Sequence, residues 1–136
     1  MPRGKPHYRL TLDDVLAAHD EALEFGGLPG YLDLGAVESA IARPFATFAG
    51  RPRYPRISDK AAALIESLVK NHGFADGNKR TALLSLRTLL VRSGYDFAPT
   101  VTDDELEQMI LDVAVSTVRF AGLVAWFSSR IVARKP

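Results

Sequence analysis

The 136-residue chain contains no cysteine. Disulfide frameworks and thiolate catalysis are therefore excluded, which fits a reducing compartment. Long apolar runs are missing as well. Stretches such as Ala121 to Phe127 fall far short of the roughly 20 residues that a membrane-spanning helix needs. The N-terminus has no apolar core behind its basic residues, so no secretory signal is expected. Excess charge of one sign is also lacking. The formal net charge is +1, which gives no bulk field to attract nucleic acid or an anionic membrane. We expect a soluble, cytoplasmic protein with no membrane association and no direct nucleic-acid binding.

Apolar residues make up 47% of the chain and charged residues 24%, as in an ordinary globular domain. The length supports a single core, with neither repeats nor a linker. We assign one domain over 1–136, mainly α, with about 1–9 as a flexible tail. Turn and cap residues divide it into about six helices. Thr11 with Asp14 caps the first, whose apolar positions are Leu12, Val15, Leu16, Leu23 and Phe25. Gly26–Gly30 must be a loop. Asp33 caps a second helix through Ala42. Ser58 is expected to cap a third, over 59–71. The fourth runs over 78–92 and stops at Gly94, with Ala82, Leu83, Leu86, Leu89 and Leu90 buried. Thr102 with Glu105 forms a capping box for the fifth. The sixth is expected over 119–132.

The stretch from Pro44 to Pro55 reads differently. It holds three prolines, one glycine, three aromatics and two arginines, which favours an extended or hairpin-like flap over helix. Phe45, Phe48, Arg51, Arg53 and Tyr54 form a candidate docking edge for another protein; alternatively, the aromatics cover the core.

Chemistry concentrates in His72-Gly-Phe-Ala-Asp-Gly-Asn-Lys-Arg-Thr81. Free N–H groups at a helix start, together with the helix dipole, favour an anion. Lys79 and Arg80 add positive charge, and arginine grips phosphate through two bonds. Gly77 permits a tight turn and close approach to a ligand. Asp76 sits beside this cradle, where a carboxylate commonly anchors Mg²⁺. His72 is the residue type best suited to act as a general base near neutral pH. Phe74 is expected to anchor the loop in the core. A base, a metal carboxylate and an anion cradle together describe transfer of a phosphorus-centred group. His7 reads as part of the tail and His19 as a polar-face residue.

The pattern His-x-Phe-x-Asp-Gly-Asn-Lys-Arg resembles the signature of the Fic/Doc family in its Doc (death on curing) form. The segment Tyr31 to Pro44 is similar to the one preceding the active site in that branch. The resemblance implies a compact all-α bundle with a short extended flap before the active-site helix pair. It implies a toxin that uses ATP and Mg²⁺ and pairs with a Phd-like antitoxin. Fic proteins commonly transfer AMP to a protein hydroxyl. Doc-type members can act as kinases with ATP reversed, so the resemblance implies phosphorylation of elongation factor Tu and a stop to translation. By position, His72 would deprotonate the target hydroxyl and Asp76 would hold Mg²⁺. Asn78, Lys79 and Arg80, with the backbone around Gly77, would hold phosphates.

The chain departs from the adenylylating pattern at two positions. Lys79 stands where those proteins have glycine, and Leu83 where they carry a second arginine. Lysine in the cradle takes up room for the α- and β-phosphates, which favours the kinase reading. Gly73 replaces a common proline. The inhibitory pattern of Ser or Thr, three residues, then Glu followed by Gly or Asn is absent. The alternatives are an adenylyltransferase and a non-catalytic binding module using Lys79, Arg80 and Arg87. A Walker-type site is disfavoured by spacing.

Overall fold

A computed structural model describes residues 6–135. Helix α3, Ile57–Asn71, runs through its middle. Ala61, Ala62, Ala63, Leu64 and Ile65 on this helix are all fully buried. A helix buried on successive positions must be covered on several faces. Around it pack α2 (Leu34–Ala42), α4 (Asn78–Arg92), α5 (Asp103–Ala114) and α6 (Phe120–Ser128). The alanines give these neighbours room to approach closely. Helix α1, Leu12–Leu23, lies against α4. The architecture among the described residues is thus the expected all-α bundle of six helices.

Local chemistry explains most boundaries. Thr11 and Thr102 each accept from the N–H three residues on, and Asp14 and Glu105 reach back to complete the boxes. Asp33 caps α2 through the Ala36 N–H. Gly94, at φ 90°, turns the chain out of α4 into β3 (Tyr95–Phe97), which pairs antiparallel with β4 (Ile131–Ala133).

Several expectations need correcting. Helix α3 begins at Ile57, before the expected cap Ser58, which is buried. Asp59 occupies its third position and accepts from the Arg56 N–H at 3.0 Å and from the Arg56 guanidinium. Helix α6 stops at Ser128 because the Arg130 N–H closes a turn onto Phe127 O at 3.0 Å; the β-branched residues beyond join β4. Phe25 lies past the end of α1 and is 71% exposed. Leu83 is only half-buried. Of the tail expected over 1–9, residues 1–5 lie outside the described residues, but the rest is tied down. The Tyr8 N–H donates to Ser93 Oγ at 2.8 Å, and its hydroxyl to Asp14 at 2.6 Å. His7 meets the Tyr95 ring edge-on, and Arg9 lies over Phe45.

The flap is a 3₁₀ turn, Arg43–Phe45, followed by the two-residue strands β1 (Thr47–Phe48) and β2 (Arg51–Pro52). Ala49 and Gly50 connect them with positive φ at both positions, the backbone of a tight hairpin turn. Arg43 fastens the flap to α3 through Glu66 at 2.9 Å and Ser67 at 3.0 Å, and reaches Tyr54 Oη at 3.3 Å.

Candidate active site

The segment from His72 to Arg80 joins the C-terminus of α3 to the N-terminus of α4. His72 ends α3 in the left-handed region, with φ 47° and ψ 53°, and its side chain is exposed. Gly73 follows, packed so tightly that a Cβ there would lie 2.3 Å from Val37 Cγ2. Its carbonyl accepts from the N–H groups of Leu32 and Asp33, at 2.9 and 3.0 Å. The loop between α1 and α2 is thereby strapped to the site. Phe74 pairs with Tyr31, and the Ala75 N–H donates to Gly30 O at 3.0 Å.

Phe74 is 2% exposed and anchors the segment. Its ring stacks on His19 at 3.9 Å between centroids, with an interplanar angle of 11°. The Asn78 amide brackets its main chain, with Oδ1 accepting from the Phe74 N–H at 3.1 Å and Nδ2 donating to Phe74 O at 2.9 Å. The side chain of Asn78 is committed to the loop. What this residue offers a ligand is its main-chain N–H.

Gly77 enters α4 at φ 77°. The first helical bond runs from the Thr81 N–H to Gly77 O at 2.9 Å. The N–H groups of Asn78, Lys79 and Arg80 precede it and have no helical acceptors. Lys79 and Arg80 extend from this end into solvent. The Arg80 guanidinium lies 4.2 Å from the centre of the Phe25 ring. Asp76 Oδ1 accepts from the Gly77 N–H at 2.9 Å and Oδ2 from the Leu28 N–H at 3.2 Å. The Gly77 bond, then the Leu28 bond, hold the Asp76 carboxyl below its usual range, outweighing desolvation. The group is anionic at neutral pH, and each oxygen keeps a further lone pair.

This arrangement suits a phosphate chain with a divalent cation. Among the described residues, no group of three or more acidic or histidine side chains is placed to hold a metal ion. A cation here would rest on Asp76, on phosphate oxygens and on water, as Mg²⁺ commonly does.

The five candidate docking residues separate. Phe48 is 76% exposed, and Arg51 and Arg53 also face solvent. Tyr54 is buried, its ring tilted against Phe120, and Phe45 packs on the core. These two serve the second role weighed for the flap aromatics, covering the core. A recess of about 200 Å³ between α5 and α6, lined by Met109, Leu123, Trp126 and Arg130 among others, shares no residue with the 72–80 segment.

His19, Phe25 and Leu28 are the contributors the sequence reading missed. His19 is 1% exposed, not on a polar face. Its signal was the spacing of Val15, Ala18, His19 and Ala22, the buried stripe of α1.

The sequence model of the Fic/DOC family matches residues 9–90, from the start of α1 nearly to the end of α4. The chain belongs to the Fic/DOC family. Among curated relatives, it is 43% identical over 105 residues to a protein of Mycolicibacterium smegmatis named Toxin Doc, covering 77% of this chain and 79% of that one. It is 33% identical over 115 residues to Protein kinase doc of Escherichia phage P1, covering 80% and 88%. These relatives place it on the Doc branch. The Fic/DOC match ends before α5, so α5, α6 and the β3–β4 pair lie outside the matched span.

Proposed function

We propose that this Doc-branch protein is a growth-arresting toxin that transfers the γ-phosphoryl group of ATP to a Ser or Thr hydroxyl of a translation factor, elongation factor Tu. The observation that carries the reading is the N-terminus of α4. Three N–H groups without helical acceptors, two exposed cations and one ionised carboxylate meet on a braced turn. Phosphoryl transfer needs little covalent help from a protein; it needs positioning and charge stabilisation.

In this reading the N–H groups of Asn78, Lys79 and Arg80 hold phosphate oxygens, and the Lys79 and Arg80 side chains neutralise them. Asp76 holds Mg²⁺, which when bound would offset charge on the transferring group. His72, exposed at the end of α3, takes the proton of the incoming hydroxyl. Lys79 at the second helical position favours the γ-phosphoryl over AMP transfer, and the name of the phage P1 relative supports the same choice. The non-catalytic alternative is weakened because Arg87 is drawn to Asp96 at 3.5 Å and Arg80 to Phe25. A Phd-like antitoxin is the expected restraint, supported by the name of the mycobacterial relative.

The deciding experiment combines purified protein, Mg²⁺ and elongation factor Tu with ATP labelled at the γ- or the α-phosphate, and His72→Ala as control. Label from the γ position, lost in the variant, supports the kinase. Label from the α position identifies an adenylyltransferase. No transfer of either label sinks the assignment to elongation factor Tu.

A further inference from the structure

The Asp76–Gly77 peptide is where orientation matters most. In a trans peptide the C=O and the following N–H lie in one plane and point opposite ways. Whichever side the Asp76 oxygen faces, the Gly77 N–H faces the other. Glycine at φ 77° makes the reverse orientation of this peptide sterically accessible. Something must hold it.

The inner side is occupied by His19. Its Nε2 lies 3.0 Å from Asp76 O. A carbonyl only accepts, so Nε2 carries the proton. Its Nδ1 is buried with no partner. Stacking on Phe74 fixes the ring plane and thus the aim of Nε2. The ring edge also lies under Gly77, with Nε2 3.8 Å from where a Cβ would stand. A phenylalanine would satisfy this packing without leaving a bare buried nitrogen, so packing alone does not explain an imidazole here.

We propose that His19 is a positioning residue that locks the Asp76–Gly77 peptide with its carbonyl inward and its N–H outward. The outward N–H is the one that Asp76 Oδ1 accepts from, so the lock also sets the carboxylate beside the phosphate cradle. The inference deepens the phosphoryl-transfer reading and rests on it only for its activity arm.

The test uses the full-length chain labelled with ¹⁵N, with two variants. His19→Phe keeps the stack and removes the donor. His19→Gln returns an amide donor near the Nε2 position. In the wild type, long-range ¹H–¹⁵N spectra are expected to show a proton on His19 Nε2. In His19→Phe the Gly77 amide resonance should shift or broaden while the thermal midpoint holds or rises. Its kcat with Mg·ATP should fall about ten- to a hundredfold, as when a supporting partner of a site is removed, with KM for the protein target little changed. His19→Gln should restore much of both. A His19 Nε2 without a proton, or a His19→Phe variant with an unmoved Gly77 amide and wild-type kcat, overturns the proposal. If the wild type transfers no phosphoryl group, the functional reading falls, while the Nε2 proton and the Gly77 amide still decide this one. If His19→Phe does not fold, the wild-type Nε2 proton and the Gly77 amide of His19→Gln decide it.

Discussion

Asn78 and Phe74 make two hydrogen bonds to each other, four residues apart, with the Asn78 amide both donating to and accepting from one main chain. The signature asparagine thus shapes the turn from inside. Asn78→Ala leaves a part-buried N–H and C=O unpaired, and should cost about 1–3 kcal/mol of stability. Asn78→Asp keeps the acceptor, loses the donor and places a negative charge at the anion cradle. It should bind Mg·ATP more weakly than Asn78→Ala does. Denaturant melts and nucleotide titration of both variants check this.

Gly73 faces Val37 with no room for a side chain. Gly73→Ala must displace Val37 or the loop, and overpacking of this kind costs about 1–3 kcal/mol. Val37→Ala alone should also destabilise, by leaving a cavity. Combined, the two changes should cost less than their sum. A double-mutant cycle by chemical denaturation measures the coupling; simple additivity would place the strain elsewhere.

Acid stability should depend on Asp14. Burial pushes its carboxyl up, but the Tyr8 hydroxyl, the two Thr11 hydrogen bonds and Arg92 together hold it below the ordinary 3.8. A depressed carboxyl stabilises the fold above its unfolded value, and this contribution is lost as pH falls through the lower folded value. Unfolding free energy should therefore drop as pH falls below about 4. Tyr8→Phe should raise the Asp14 pKa, followed by NMR titration, and shrink that drop.

Phe25 supports Arg80 from an exposed position. Phe25→Ala should leave thermal stability nearly unchanged. Losing an exposed cation–π contact of about 0.5–1 kcal/mol should weaken ATP binding about two- to fivefold. Isothermal titration with Mg·ATP reads this directly, and unchanged affinity would show that the stacking does not serve the nucleotide.

The hairpin tip tests the docking edge. Phe48→Ser removes an exposed ring without touching the core. It should raise KM for the protein target and leave its kcat unchanged. An unchanged KM assigns target recognition to another surface.

Helices framed by strong local signals were legible in the sequence. Gly77 and Gly94 bracket α4, and the Thr102–Glu105 pair opens α5. Pairings made across long stretches of chain were not. The ribbon of β3 and β4 joins Tyr95 to Ala133, and its second strand directly follows an apolar helix with no punctuation between them. The start of α3 was misread because Asp59 acts from its third position. The chemistry-bearing side chains were visible as one segment, but its bracing was hidden. Asp76 is held by Leu28 and His19, which lie 48 and 57 residues away, and nothing local in the sequence announces either contact.

His72 occupies the left-handed turn that closes α3, a conformation in which an L side chain costs roughly 1–2 kcal/mol and where glycine commonly sits. At this one position, folding and reactivity ask for different residues. A population screened only for thermal tolerance should drift toward His72→Gly, gaining robustness as it discards its imidazole. Selection that keeps the histidine therefore has to act through what the chain does, since its own stability pulls the other way.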